Sequence, residues 1–165
     1  MKKATASQKL RIQHREILAA SRNYAALVEG YCNEVLTQKT RTIRLLGRKN
    51  SARIIHTLLG YEVQSSYKRI QCPDLVTARY LRLFSEIGCH SIKLPYDPTL
   101  TGRLIPVFEA AVNSLKEEIC ALFPQNSTTQ QYVLRIIYGI IRRQIAEISR
   151  NTIESEMMSR EDLYS

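Results

Sequence analysis

The sequence predicts an all-α protein: a bundle of about five helices, with a long basic N-terminal helix or helical hairpin and one extended, proline-containing loop at residues 90–99. Three observations support this fold class. Gly and Pro are scarce, at 6 and 5 residues, whereas an all-β chain needs turn residues about every 8–12 positions. Apolar residues recur at the spacing of a helix face. The 165 residues, with 44% hydrophobic and 24% charged side chains, suit one folded domain.

The N-terminal segment carries the longest apolar stripe. From about Thr5 to Leu46 it contains no proline, and only Gly30 interrupts good helix formers. A stripe position recurs at every seventh residue, at Leu10, Ile17, Tyr24, Tyr31, Gln38 and Leu45. A continuous helix of this length would measure roughly 60 Å. Because the stripe contains polar residues, we expect a helical hairpin with a partly exposed first limb rather than a two-stranded coiled coil.

Two further helices follow in the prediction. Residues 54–70 show helical spacing of apolar side chains, which indicates a second helix after a C-cap at Gly47. Pro73 and Asp74 suit the start of a third helix, and Gly88 suits its end.

Thr99 or Thr101 is predicted to cap a fourth helix, which Pro124 ends. Its expected inner face consists of Leu104, Ile105, Phe108, Ala111, Val112, Leu115, Ile119 and Leu122. A fifth helix runs to roughly Met158 and has the widest apolar face, so we place it at the centre of the bundle.

These elements indicate a single helical domain over residues 1–158. It would consist of a long basic helical arm (1–50) and a helical bundle (51–158), followed by a frayed tail (159–165).

The positive charge is concentrated in the first third of the chain. The net charge is +9, and the first 53 residues hold twelve Lys or Arg against three Glu. Between Gln38 and Ile55 no acidic residue occurs, although acidic i,i+4 partners usually neutralise a solvated helix face. The cations predicted to contact a polyanion are Lys39, Arg41, Arg44, Arg48, Lys49 and Arg53. The alternative interpretation is an ordinary solvated helix face.

No sequence pattern indicates catalysis. Glycine-rich phosphate loops are absent, and the three histidines lack zinc-type spacing. The four cysteines form no C-x-x-C pair, which favours buried thiols. We therefore predict no enzyme, no cofactor and no metal. The alternative is an enzyme whose site lies near Cys89, His90, Tyr96 and Asp97.

Two parts of the sequence resemble known kinds of protein in outline, and each resemblance implies a further possible function. Residues 56–88 resemble a helix-turn-helix reader, with Thr77, Arg79 and Arg82 toward DNA. The long basic first helix folding back on itself is similar to the layout of ESCRT-III-type membrane-remodelling subunits, over the first 70 residues at most. Neither resemblance covers a continuous motif, and we assign no family.

The predicted function is that of a non-enzymatic basic helical binding protein, which contacts nucleic acid mainly through the phosphate backbone. The alternative is a helical adaptor or assembly subunit that docks on an acidic protein partner or an anionic membrane surface. The N-terminal helix also offers a surface for a homo-oligomer. Since the sequence has no transmembrane stretch and no secretory signal, we expect an intracellular, soluble, cytoplasmic protein.

Overall fold

The computed structural model describes residues 22–45, 52–66 and 68–163, and the fold is α+β. Within these ranges four helices and a short π-helical turn accompany two antiparallel sheets, so the prediction of an all-α helical bundle is wrong. The helices are α1 (Arg22–Gly30), α2 (Leu75–Ile87), α3 (Pro98–Leu122) and α4 (Ser127–Leu163), and the π-helical turn is Tyr31–Val35. The strands are β1 (Thr40–Arg44), β2 (Arg53–Thr57), β3 (Gly60–Ser65), β4 (Lys68–Cys72) and β5 (Ser91–Pro95).

The N-terminal helical segment ends earlier than its apolar stripe suggests. Leu27, Tyr31 and Val35, at four-residue spacing, are buried, so the stripe marks the core-facing side as far as Val35. After a turn, residues 40–44 form β1, and three of these five residues are β-branched, which favours extended backbone. The prediction of one helix to Leu46 is therefore wrong, and its residues 5–21 lie outside the described part of the chain.

The predicted second helix, residues 54–70, is instead a three-stranded antiparallel meander in the order β2, β3, β4. Ile54 lies opposite Val63, and Val63 lies opposite Ile70, so one apolar row crosses all three strands. The meander contacts α2. Gly60 has a φ of +123°, and a Cβ there would lie 3.0 Å from the Cys72 carbonyl oxygen, so the β2–β3 turn requires glycine. With this meander, the helical hairpin that resembled ESCRT-III-type subunits is lost.

β1 and β5 form a separate two-stranded antiparallel sheet, which we call the β1–β5 ribbon. Thr40 lies opposite Pro95, and Arg44 lies opposite Ser91. Residues 91–95 of the predicted extended loop (90–99) are therefore a paired strand. On the inner face of the ribbon, Ile92 is buried among the core residues.

The predicted third helix is confirmed as α2, with both of its end signals. Asp74 is the N-cap, and its Oδ1 accepts a hydrogen bond of 2.7 Å from the Thr77 N–H. Gly88 is the C-cap, with a φ of +90°, and its N–H donates to the Phe84 carbonyl oxygen. Left-handed backbone of this kind strains any residue with a Cβ, so glycine ends the helix here.

The central helix of the fold is α3, whereas the prediction placed the last helix there. α3 contacts α1, α2, α4 and β5. Its N-cap is Asp97, which accepts from the Thr99 N–H, rather than Thr99 or Thr101. Of the eight residues predicted for its inner face, seven are buried and Leu122 is exposed.

α4 runs to Leu163, so residues 159–163 of the predicted tail are helical. Among the described residues, no helix combines the length and the apolar character needed to cross a membrane. Buried side chains from α1, α2, α3, α4 and the strands form one hydrophobic cluster.

Two buried tyrosine hydroxyls fix β5 against the core. The Tyr80 hydroxyl donates to the Lys93 carbonyl oxygen at 2.7 Å, and the Lys93 N–H donates to the Tyr31 hydroxyl at 3.0 Å. Burial raises the pKa of both tyrosines, so their hydroxyls stay protonated near neutral pH. Their rings pack tilted against Phe84, which places an aromatic cluster under the ribbon.

We expect Tyr80→Phe to lower the free energy of unfolding by about 1–3 kcal/mol, because the buried Lys93 carbonyl oxygen loses its partner. Urea denaturation followed by circular dichroism measures the change. The control is Tyr96→Phe, which removes a hydroxyl from an exposed side chain and should change stability by less than about 0.5 kcal/mol. Equal stability of Tyr80→Phe and the wild type would contradict the role assigned to this hydroxyl.

Candidate nucleic-acid interface

One end of the β1–β5 ribbon brings two predicted cations to an exposed aromatic ring. Lys39 precedes β1, and its carbonyl oxygen accepts a hydrogen bond of 3.1 Å from the Tyr96 N–H, which extends the pairing beyond the strands. The Lys39 Nζ lies 5.5 Å from the centroid of the Tyr96 ring, and the Arg41 Cζ lies 5.8 Å from it. Both distances are within cation–π range. The ring itself remains 56% exposed.

The other face of the ribbon carries a second pair of cations. Residues directly opposite each other in an antiparallel pair share a face, so Arg44 stands beside Ser91, and Lys93 stands beside Thr42. The Lys93 Nζ donates to the Thr42 Oγ1 at 2.6 Å. Arg44 is exposed, and its side chain forms no hydrogen bond or ion pair within the described ranges.

The remaining predicted site residues are not part of this cluster. Arg53 lies at the start of β2, and its Nη2 donates to the Gln64 Oε1 at 3.4 Å on the neighbouring strand. Arg48 and Lys49 lie outside the described residues. The structure therefore brings Lys39 and Arg41 together, and it places Arg44 on the opposite face of the same ribbon.

The ribbon cations have no acidic partners in the part of the chain that the structure describes. Four ion pairs occur there: Arg69–Glu62, Arg79–Glu109, Arg103–Glu34 and Lys116–Glu86. None of them includes Lys39, Arg41 or Arg44. The charge of the ribbon is therefore uncompensated, whereas the cations of α2 and α3 that form these pairs are neutralised.

The Arg41 charge also acts on the neighbouring meander. Burial and the Asp74 carboxylate together raise the pKa of the Cys72 thiol to about 11, against the opposing charge of Arg41. This coupling places Arg41 close to the end of β4, at the same end of the meander as the β2–β3 turn.

Two residues of this surface were not among the predicted nucleic-acid contacts. Lys93 belongs to β5 and Tyr96 directly follows it, in a segment that the sequence presented as a loop. The signal that would have found them is the pairing of a short β-branched run after Gln38 with the extended segment before Pro98.

The β2–β3 turn exposes two leucines that helical spacing had placed inside a bundle. Leu58 and Leu59 have relative exposures of 105% and 85%, so neither contributes to the core. Below them, His56 and Tyr61 lie opposite each other and stack, with ring centroids 4.7 Å apart. The turn is held by the Gln71 Nε2, which donates to the Leu59 carbonyl oxygen at 3.3 Å.

The helix-turn-helix arrangement is not present. Its first helix is replaced by the meander, and the Arg79 side chain is paired with α3. The Arg79 Nε and Nη2 donate to the two carboxylate oxygens of Glu109 at 2.9 and 2.7 Å. Thr77 is buried, so this face of α2 points into the fold.

The four residues of the enzymatic alternative have separate roles. Burial raises the pKa of the Cys89 thiol to about 12, against the opposing charge of Arg142, so the nucleophilic thiolate is disfavoured near neutral pH. Asp97 caps α3, Tyr96 contacts the ribbon cations, and His90 is exposed.

Within the described ranges, no group of three or more His, Cys, Asp or Glu side chains is arranged to hold a metal ion. Comparisons of the chain with protein-family models, with curated proteins and with solved structures find no match.

We expect Cys120, which is exposed, to react with iodoacetamide well before Cys72 and Cys89 at pH 8. The two buried thiols have raised pKa values, so almost none of either is thiolate below pH 10. Mass spectrometry of peptides after timed alkylation measures the order, and Cys120→Ser is the control that removes the fast site. Rapid modification of Cys89 in the folded protein would contradict the assignment of a buried, neutral thiol.

Proposed function

We propose that this protein binds nucleic acid through the β1–β5 ribbon, mainly at the phosphate backbone. The observation that carries the proposal is the position of the Lys39 and Arg41 charges beside the exposed Tyr96 ring. A flexible strand of nucleic acid needs both features, since cations bind its phosphates and aromatic faces stack with its bases.

The electrostatic contribution comes from counterion release. Cations without acidic partners gain most from phosphate binding, because no protein ion pair has to be broken first. Lys39, Arg41 and Arg44 meet this condition among the described residues. In this proposal Arg48 and Lys49, which follow β1 in the chain, extend the contact, and Arg53 at the start of β2 adds a further charge.

The stacking contribution comes from Tyr96. A base stacked on an aromatic side chain contributes about 1–3 kcal/mol, and this contribution tolerates any sequence. An exposed ring flanked by two cations therefore favours single-stranded or unpaired segments over a fully paired duplex, whose bases are already stacked.

The first experiment is a fluorescence anisotropy titration of labelled single- and double-stranded oligonucleotides at about 50 and 200 mM salt. We expect binding that weakens with salt, and a Lys39→Gln/Arg41→Gln variant that binds less tightly. For duplex DNA, the slope of log K against log salt should become less steep by about 1.8, since each phosphate contact contributes roughly 0.9.

The matched control is Lys68→Gln/Arg69→Gln, which also removes one lysine and one arginine charge. These residues lie at the start of β4, at the β3–β4 turn of the meander. Circular dichroism confirms that each variant folds. If both double variants weaken binding equally, net charge alone is responsible and the ribbon is not the interface. The absence of binding by the wild-type protein at the lower salt would refute the nucleic-acid function.

A second candidate function has one specific observation in its favour. Leu58 and Leu59 project fully into solvent from a turn, which is unusual for two adjacent large apolar side chains. The Arg41 charge reaches the same end of the meander. Apolar side chains beside cations suit an anionic membrane surface, where leucines enter the interface and cations bind lipid phosphates.

For this candidate, we expect Leu58→Ser/Leu59→Ser to abolish sedimentation with vesicles that contain phosphatidylserine. The control Val107→Ser/Leu122→Ser also removes two exposed apolar side chains, from α3, and should sediment like the wild type. Sedimentation of the wild type that does not depend on Leu58 and Leu59 would exclude the turn as a membrane contact.

A further inference from the structure

A basic groove lies between the turn that precedes β5 and the middle of α4. Its volume is about 610 Å³, and Cys89, His90 and Ser91 form one wall. Residues 139–153 of α4 supply the other wall, with Arg142, Arg143 and Arg150 along it. Small-molecule sites typically have about 300–1,000 Å³, so the groove is large enough for a ligand of moderate size.

The residues that line the groove include three arginines and no carboxylate. The sequence contains the same imbalance, because between Glu118 and Glu147 the only charged residues are Arg135, Arg142 and Arg143. Arg44 adds to it, since it lies directly opposite Ser91 in the β1–β5 ribbon. Glu147 lies between Arg143 and Arg150 on α4 but is not part of the lining, so the lining itself favours an anion.

One arginine is held in place by the backbone. The Arg142 Nη1 donates to the Ile87 carbonyl oxygen at 2.7 Å, at the C-terminal end of α2. The side chain packs on Gly88, where an added Cβ would lie 2.9 Å from the same Nη1. Because its position is fixed before any ligand arrives, the guanidinium loses little conformational entropy on binding.

The other arginines leave most of their donors available. The Arg143 Nε donates to the Gly139 carbonyl oxygen at 3.2 Å, and this bond leaves both of its Nη atoms unused. The Arg150 side chain forms no hydrogen bond or ion pair within the described ranges. Arg143 and Arg150 are seven residues apart, so they lie on the same face of α4. A guanidinium group can bind the oxygens of an acidic head group in a bidentate manner.

Part of the groove lining is apolar, beside the polar His90, Ser91 and Ser149. Ile145 and Cys89 are buried, and Ala146 and Ile153 extend the apolar lining along α4. The Cys89 thiol is neutral near pH 7 and behaves as a small apolar group here. A simple inorganic ion would leave this apolar surface in contact with water.

We propose that the groove binds a small organic anion, with a phosphate, sulfonate or carboxylate head group and a flat or extended apolar body. The head group contacts Arg143 and Arg150, and the apolar body covers Ile145 and Ile153. Its head-group arginines are separate from Lys39, Arg41 and Tyr96 of the nucleic-acid interface, although Arg44 contributes charge to both. Tyr96 lies five residues along the chain from Ser91, a distance of about 16 Å in extended backbone.

The test uses the full chain and 1-anilinonaphthalene-8-sulfonate, a probe whose fluorescence rises in an apolar site. We expect saturable binding at one site, with competition by dodecanoate and none by dodecanol, which lacks the charge. Arg143→Gln/Arg150→Gln should raise the Kd at least about tenfold, because two charge-assisted contacts are lost. Ala146→Trp should block binding, since this exposed position opens into the groove.

The control is Lys39→Gln/Arg41→Gln, which should bind the probe like the wild type. Its result separates this proposal from the nucleic-acid function, since that variant weakens oligonucleotide binding while leaving the groove intact. Binding that does not saturate, or that is unchanged in both groove variants, overturns the proposal. Equal competition by dodecanol overturns it as well, because the site would then be merely apolar.

Discussion

The structure depends on the peptide group of Lys93, whose N–H and carbonyl oxygen are bound by two buried tyrosine hydroxyls. Tyr31 comes from the π-helical turn, and Tyr80 comes from α2. A strand edge that faces a core must have its polar groups satisfied, since an unpaired buried donor or acceptor costs about 1–3 kcal/mol. Because of these two bonds, the inner edge of β5 lies on the aromatic cluster and needs no strand to pair with it. The outer edge of β5 pairs with β1.

The position of β5 in turn determines where the charges lie. One end of the strand leads to Tyr96, Lys39 and Arg41, and the other end starts at Ser91, beside the arginines of α4. A single short strand therefore lies between two surfaces suited to anions. Elsewhere in the described residues, cations such as Arg79 are neutralised by carboxylates, as in its pairing with Glu109. Among the described residues, the ribbon and α4 thus carry positive charge that no ion pair neutralises.

The sequence predicted where helices end better than it predicted whether the N-terminal segments are helices or strands. Asp74 and Gly88 bound α2 as expected, because a capping carboxylate and a left-handed glycine act locally. The segment that contains Ile54, Val63 and Ile70 was mistaken for a helix, since apolar residues spaced for a helix face can also align across three strands. The acid-free neighbourhood of Arg41 made it a predicted contact, whereas Arg143 and Arg150 gave no comparable signal, because each has a glutamate four residues later.

The sequence by itself determined the three C-terminal helices, the buried face of α3 and the basic, acid-free stretch after Gln38. These features follow from local propensity, capping and composition, which act within a few residues. Only the tertiary structure decided that Thr40–Arg44 is a strand and that Tyr96 stands beside Lys39. A strand exists only when a partner offers its hydrogen bonds, and here that partner lies about 50 residues away in the chain. Because they pair with this distant segment, residues 40–44 form a strand of the ribbon and not the predicted helix.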